Sequence, residues 1–132
     1  MADRHYTLEE AEASLPWVSD AIDSMRKATL ELLDARTKLS SLLEAIRSNG
    51  GSTHDEEVHA LRSRVEKSTE SLRQPLEKFE NKEIIIRDLQ RGLIDFPALR
   101  DGREVYLCWL YGEERIDFWH ELDTGFAGRQ PL

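Results

Sequence analysis

A chain of 132 residues with 39% hydrophobic and 33% charged residues is long enough for one domain with a modest core, too short for a second independent core, and too apolar to stay disordered. Its net charge of −8 divides evenly, with 12 basic against 16 acidic residues over 1–82 and 6 against 10 over 83–132. Neither half has the basic excess that attracts phosphates, which disfavours a nucleic-acid partner.

The start, Met1-Ala2-Asp3-Arg4-His5, leads into Glu9, Glu10 and Glu12 and not into an apolar signal core. No run approaches membrane-spanning length. Cys108 is the single cysteine, and an unpaired thiol suits a reducing compartment, so the expectation is a cytoplasmic protein with no membrane partner.

Thr7 opens the first helix. Its hydroxyl is placed to cap the amide of Glu10, Glu10 to reach back to Thr7, and Tyr6 to staple against Ala11. Pro16 removes a donor and disfavours the helical conformation at Leu15, which predicts a break or kink near Ser14 to Pro16. From Val18 the seam positions step by four and three through Ile22, Met25, Thr29, Leu32, Arg36, Leu39, Leu43 and Ile46, a heptad pattern. A parallel row, Ala21, Ala28, Ala35 and Leu42, widens the apolar face. Arg36 reads as a snorkelling side chain.

Asn49-Gly50-Gly51 provides residues for a left-handed helix cap, and Thr53 with Glu56 repeats the capping box ahead of a second helix. Val58, Leu61, Val65, Ser68, Leu72 and Phe79 give it a weaker seam, and Pro75 predicts a kink. Residues 1–82 thus form a long antiparallel, coiled-coil-like helical hairpin. Two helices cannot cover both of their apolar faces, so the remainder must pack on the C-terminal region, on a second copy, or on both.

Residues 83–132 hold seven of the ten aromatics, and their six basic residues are all Arg. Glu83 to Arg87 reads as a strand, followed by a turn at Gly92 and a short strand from Leu93 to Phe96. Asp101-Gly102 is a strong two-residue hairpin signal, and Gly112-Glu113 is a plausible one. The first turn sets Phe96 opposite Leu107, Asp95 opposite Cys108 and Ile94 opposite Trp109. The second sets Trp109 opposite Ile116, Cys108 opposite Asp117, Leu107 opposite Phe118, Tyr106 opposite Trp119 and Val105 opposite His120. One face is then apolar, with Trp109 at its centre and His120 at its edge. The other carries Asp95, Tyr106, Cys108, Asp117 and Trp119. The expected architecture is α+β, a single domain 1–132 made of a helical hairpin and a small antiparallel β-meander with a docking tail.

Gly-Leu-Ile-Asp-Phe-Pro-Ala (92–98), Gly-Arg-Glu-Val-Tyr-Leu-Cys-Trp (102–109), Trp119-His120 and Gly-Phe-Ala-Gly-Arg-Gln-Pro (125–131) resemble the motifs of an uncharacterised bacterial family filed as a domain of unknown function. Tyr6 to Trp17 resembles that family's opening. The resemblance implies a bacterial cytoplasmic protein of helical hairpin plus small sheet, and brings no activity to assign.

The row Asp95, Cys108, Asp117 sets two carboxylates around a thiol, a group that could bind a cation or hold one raised pKa. The plainer reading is a solvated polar face neutralised by Arg115 or Arg129, favoured because metal sites usually need His or several Cys at characteristic spacings. His120, Glu121 and Asp123 end the strand, but His120 and Glu121 point to opposite faces and do not easily share a metal. His120 is instead expected to order the sheet edge by hydrogen bonding, and Trp119 to pack on Tyr106. In the tail, Phe126 is an anchor aromatic and Arg129 a bidentate donor for a carboxylate.

The reading that follows is a non-enzymatic interaction protein, homodimeric through its hairpin, that presents Asp95, Tyr106, Cys108, Asp117, Trp119, His120, Phe126 and Arg129 to a protein partner. No catalytic residue and no cofactor is assigned. The alternative is a metal- or small-ligand-binding protein or enzyme using Asp95, Asp117, His120 and Asp123.

Overall fold

The computed structural model describes residues 2–49 and 54–132. Helices α1 (Leu8–Asn49) and α2 (Asp55–Asn81) pack as a hairpin and are followed by strands β1 (Ile85–Asp88), β2 (Leu93–Arg100), β3 (Arg103–Leu110), β4 (Phe118–His120) and β5 (Gln130–Pro131). The strands form one antiparallel meander in the order β1-β2-β3-β4-β5. The chain has two compact units, Ser24–Pro75 and the remainder, which comprises the residues up to Asp23 and Leu76–Leu132.

The capping box at Thr7 forms as expected: Thr7 N–H donates to Glu10 Oε1 at 2.9 Å and Glu10 N–H donates to Thr7 Oγ1 at 3.1 Å. Of the expected break or kink at Pro16 the break does not occur: α1 is continuous through it. Pro16 sits on the exposed side of the helix while Ala11, Leu15 and Val18 around it are buried. The carbonyl that loses its donor can therefore be hydrated, and burial on the opposite side offsets a proline penalty of about 3 kcal/mol. Helix α2 likewise continues through Pro75. The expected cap at Gly50-Gly51 and the capping box at Thr53 lie outside the described residues.

Within Ser24–Pro75, Met25, Ala28, Leu32 and Ala35 are buried on α1 and Ser68 on α2. Beyond Ala35 the seam is only half-covered: Leu39, Leu42 and Ile46 on α1, and Val58, Leu61, Val65 and Leu72 on α2, are all half-buried. Arg64 clasps the two helices, donating to Glu31 at 2.6 Å and to Asp34 at 2.8 Å. Ala28 and Ala35 of the alanine row are used inside the unit; the large apolar residues left exposed among its described residues are Leu30, Leu33 and Leu43, 67%, 53% and 38% exposed.

In the other unit the first hairpin has the expected register, Arg100 opposite Arg103, Phe96 opposite Leu107, Asp95 opposite Cys108 and Ile94 opposite Trp109. Asp101 and Gly102 have φ of 53° and 78°, the pair of positive values that a two-residue hairpin turn requires. The register of β4 is one residue away from expectation: Cys108 faces Phe118, Leu107 faces Trp119 and Tyr106 faces His120. Glu113 N–H bonds the Leu110 carbonyl at 3.0 Å and Gly112 has φ of 100°, so Gly112 is the third residue of a turn from Leu110 to Glu113, not the first central residue of a tight hairpin.

The consequence is an exchange of faces. Trp119 joins Ile94, Phe96, Val105, Leu107 and Trp109 in the core, and His120 moves to the face of Asp95 and Cys108. The core face lies against Tyr6, whose ring meets Phe96 edge-on at 5.5 Å, and against α1, where Glu12 accepts a hydrogen bond from Ile116 N–H at 3.1 Å.

Candidate functional site

Asp95 interrupts an apolar strand, and burying an ionised carboxylate without partners would cost several kcal/mol. Its partners are supplied by two neighbouring strands. From β1, Arg87 Nε donates to Asp95 Oδ2 at 2.8 Å, and its guanidinium lies 4.9 Å from the centre of the Tyr106 ring. Burial works against the Arg87 charge, but the hydrogen bond and charge of Asp95 outweigh it and its pKa is raised. From β4, His120 Nε2 lies 2.9 Å from Asp95 Oδ1, while His120 Nδ1 lies 2.7 Å from the Glu121 carbonyl oxygen. Tyr106, opposite His120, packs against its ring in a tilted arrangement, with ring centres 5.5 Å apart and planes at 50°.

Cys108 completes the group. One ligand atom from each of Asp95, Cys108 and His120 falls within 4.8 Å of the other two. The three residues are 1%, 0% and 2% exposed. Burial, reinforced by the Asp95 charge, pushes the Cys108 thiol up to about 12. It is thus a neutral hydrogen-bond donor and not a nucleophile at ordinary pH.

The C-terminal tail docks on this face within the same chain. Arg129 Nη2 donates to the Glu113 carboxylate at 2.8 and 3.1 Å and to the Cys108 carbonyl at 3.3 Å. Its guanidinium lies 4.1 Å from the Phe118 ring centre and 4.9 Å from that of Phe126. Phe126 is half-buried and does not fill a closed pocket; it is flanked by the guanidinium of Arg91, at 4.8 Å, and by that of Arg129. Gly125 has φ of 65° and ψ of −159°, a backbone region essentially restricted to glycine. A Cβ on Gly128 would lie 2.4 Å from that of Thr124. The two glycines therefore set the path of the tail.

Several expectations are corrected by the register of β4. Asp117 is exposed and pairs with Arg115 at 3.0 Å, so it leaves the Asp95 and Cys108 row. Asp123 is also exposed. The set Asp95, Asp117, His120, Asp123 does not assemble; Asp95 and His120 meet Cys108 instead. Trp119 is buried opposite Leu107 and does not pack on Tyr106, whose partner is His120. As a surface for a protein partner, Asp95, Cys108, Trp119 and His120 are withdrawn, while Tyr106, Phe126 and Arg129 keep partial exposure. Arg87 was missed. A buried carboxylate calls for a cation, and Arg87 stands on the adjacent strand, but the register shift between Ile86 and Asp88 breaks the alternation that would have pointed to it.

A model of the family described as an uncharacterized conserved protein, DUF2203, matches residues 4–132, and the chain belongs to that family. No curated protein and no solved structure matches it. No helix among the described residues is long and apolar enough to cross a membrane.

Proposed function

We propose that this is a non-enzymatic, cytoplasmic interaction protein that pairs with a second copy of itself through the Ser24–Pro75 hairpin and takes an apolar segment of a protein partner beside strand β1. The observation that carries the reading is the half-covered seam. In this two-helix unit Leu39, Leu42, Ile46, Val58, Leu61 and Val65 are each only half-buried, and a second hairpin completes the four-helix arrangement that buries such rows. A copy of the same chain suits the surface electrically: Ser24–Pro75 carries nine basic and eight acidic residues, so two copies meet with almost no net repulsion although the whole chain is acidic.

The partner surface is an open groove of about 530 Å³ lined by Leu76, Phe79, Ile84, Ile85, Ile86 and Tyr106 among others, with Glu80 and Glu83 at its wall. It flanks the edge strand of the sheet, where an extended segment with apolar residues and a basic one finds both its backbone and its side-chain complement. The unpaired Cys108 suits a reducing compartment.

Sedimentation of the full chain at about 50 µM, a concentration at which interfaces of standard size persist, is expected to give a dimer. The Leu43→Glu/Ile46→Glu variant, altered at an exposed and a half-buried position of the seam itself, is expected to be a folded monomer. Wild-type protein that sediments only as monomer overturns the reading.

A further inference from the structure

The Glu121 carbonyl can only accept, so at 2.7 Å it fixes the hydrogen of His120 on Nδ1. That leaves Nε2 with its lone pair directed at Asp95 Oδ1, 2.9 Å away. Two lone pairs facing each other at this distance repel unless a positive centre lies between them, which is either a proton or a metal ion. The Cys108 sulfur stands beside the pair, within 4.8 Å of a ligand atom of each of the two residues.

The arrangement around the three donors is that of a supported metal site. Metal-bound histidines carry their remaining N–H on a carbonyl or carboxylate, and metal-bound carboxylates are themselves hydrogen-bonded. Here the Glu121 carbonyl holds His120, and Arg87 occupies Asp95 Oδ2 at 2.8 Å, leaving Oδ1 for the site. All three donors stand on paired strands of one sheet and are closed off from solvent.

We propose that Asp95 Oδ1, Cys108 Sγ and His120 Nε2 bind one divalent transition metal of the zinc class. Imidazole nitrogen, thiolate sulfur and carboxylate oxygen are the zinc donor set, and three protein ligands leave a fourth position open. Donor atoms in a tetrahedral zinc shell stand about 3–4 Å apart, so Asp95 Oδ1 and His120 Nε2, now 2.9 Å apart, part slightly to admit the ion while the Cys108 sulfur closes on it. Binding releases the thiol proton and the proton held between Asp95 and His120, and the carboxylate and thiolate balance the two positive charges. Because the site is sealed, the ion enters as the sheet forms.

The test refolds the untagged full chain with one equivalent of Co²⁺ as a spectroscopic substitute for zinc, followed by desalting and elemental analysis. One cobalt per chain with a thiolate-to-cobalt charge-transfer band in the near ultraviolet is expected, and Zn²⁺ should displace it. Cys108→Ser should lose the band, and Arg87→Gln should weaken binding by about ten- to a hundred-fold. Asp117→Asn and Asp123→Asn should leave both unchanged. Should Cys108→Ser fail to fold, the wild-type band and the two exposed-site variants decide alone. Protein that is folded by circular dichroism but retains no cobalt, or retains it without the thiolate band, overturns the proposal.

Discussion

The register of β4 makes a quantitative statement about its tryptophan. Trp119 is 7% exposed, opposite Leu107, with the Arg100 guanidinium 4.6 Å from its ring centre. A tryptophan buries roughly 150–250 Å², which at about 25 cal/mol per Å² corresponds to about 4–6 kcal/mol as an upper bound. Partial collapse of the site reduces the expected loss for Trp119→Ala to about 3–5 kcal/mol. Trp109, 2% exposed and donating from Nε1 to the Glu113 carbonyl at 3.0 Å, should lose a similar amount on truncation. Phe118 is only half-buried on the opposite face, and its alanine variant should lose about 1–2 kcal/mol. Urea titrations followed by far-ultraviolet circular dichroism, run at two protein concentrations to separate any effect of association, measure all three. The reasoning is refuted if Phe118→Ala proves the costly change and Trp119→Ala the mild one, because that inversion is what a one-residue slip of β4 produces.

Cys108 gives a pH dependence of definite sign. Its folded pKa is raised by burial to about 12 while the unfolded thiol titrates near about 8.5, so the folded chain keeps a proton that the unfolded one releases. Its contribution to stability is full below the unfolded value and is lost as pH rises toward the folded one. Denaturation of metal-free protein between about pH 8 and about pH 11 should show wild type losing ground relative to Cys108→Ala; parallel curves would contradict the assignment. In the tail, Arg129→Ala removes the Glu113 pair and the stacking on Phe118 and Phe126, at an expected cost of about 2 kcal/mol. Hydrogen exchange should then rise at Leu132, whose amide bonds the Asp117 carbonyl at 2.9 Å. Arg129→Lys should not restore protection, because an ammonium lacks the flat face that stacks; full rescue by lysine would mean that charge alone holds the tail.

What the sequence made legible follows the range over which each signal acts. The helices and the first hairpin rest on local or periodic information. Heptads recur for several turns, Asp101-Gly102 supplies two residues suited to positive φ, and β2 and β3 are eight residues each, long enough for alternation to fix their faces. Pro16 misled because its local penalty is opposed by burial that the chain makes elsewhere. The second turn misled for a different reason. Ile116, Phe118 and His120 alternate as cleanly as a buried strand should, yet Ile116 and Trp119, three apart, are the residues that turn inward. Glu113 supports the alternative: its carboxylate accepts from Leu110 N–H at 2.7 Å and from Arg129, and its carbonyl accepts from Trp109 Nε1. A residue whose side chain serves a turn and a tail while its carbonyl holds a core ring leaves no periodic trace. The slip it favours is also what removes Asp117 from the row and brings His120 to Asp95 and Cys108. Shifting the register back would leave a buried carboxylate with Arg87 alone and would place an imidazole on the apolar face. The polar network therefore reinforces the register chosen by the turn, because each unpaired group in the alternative would cost on the order of 1–3 kcal/mol.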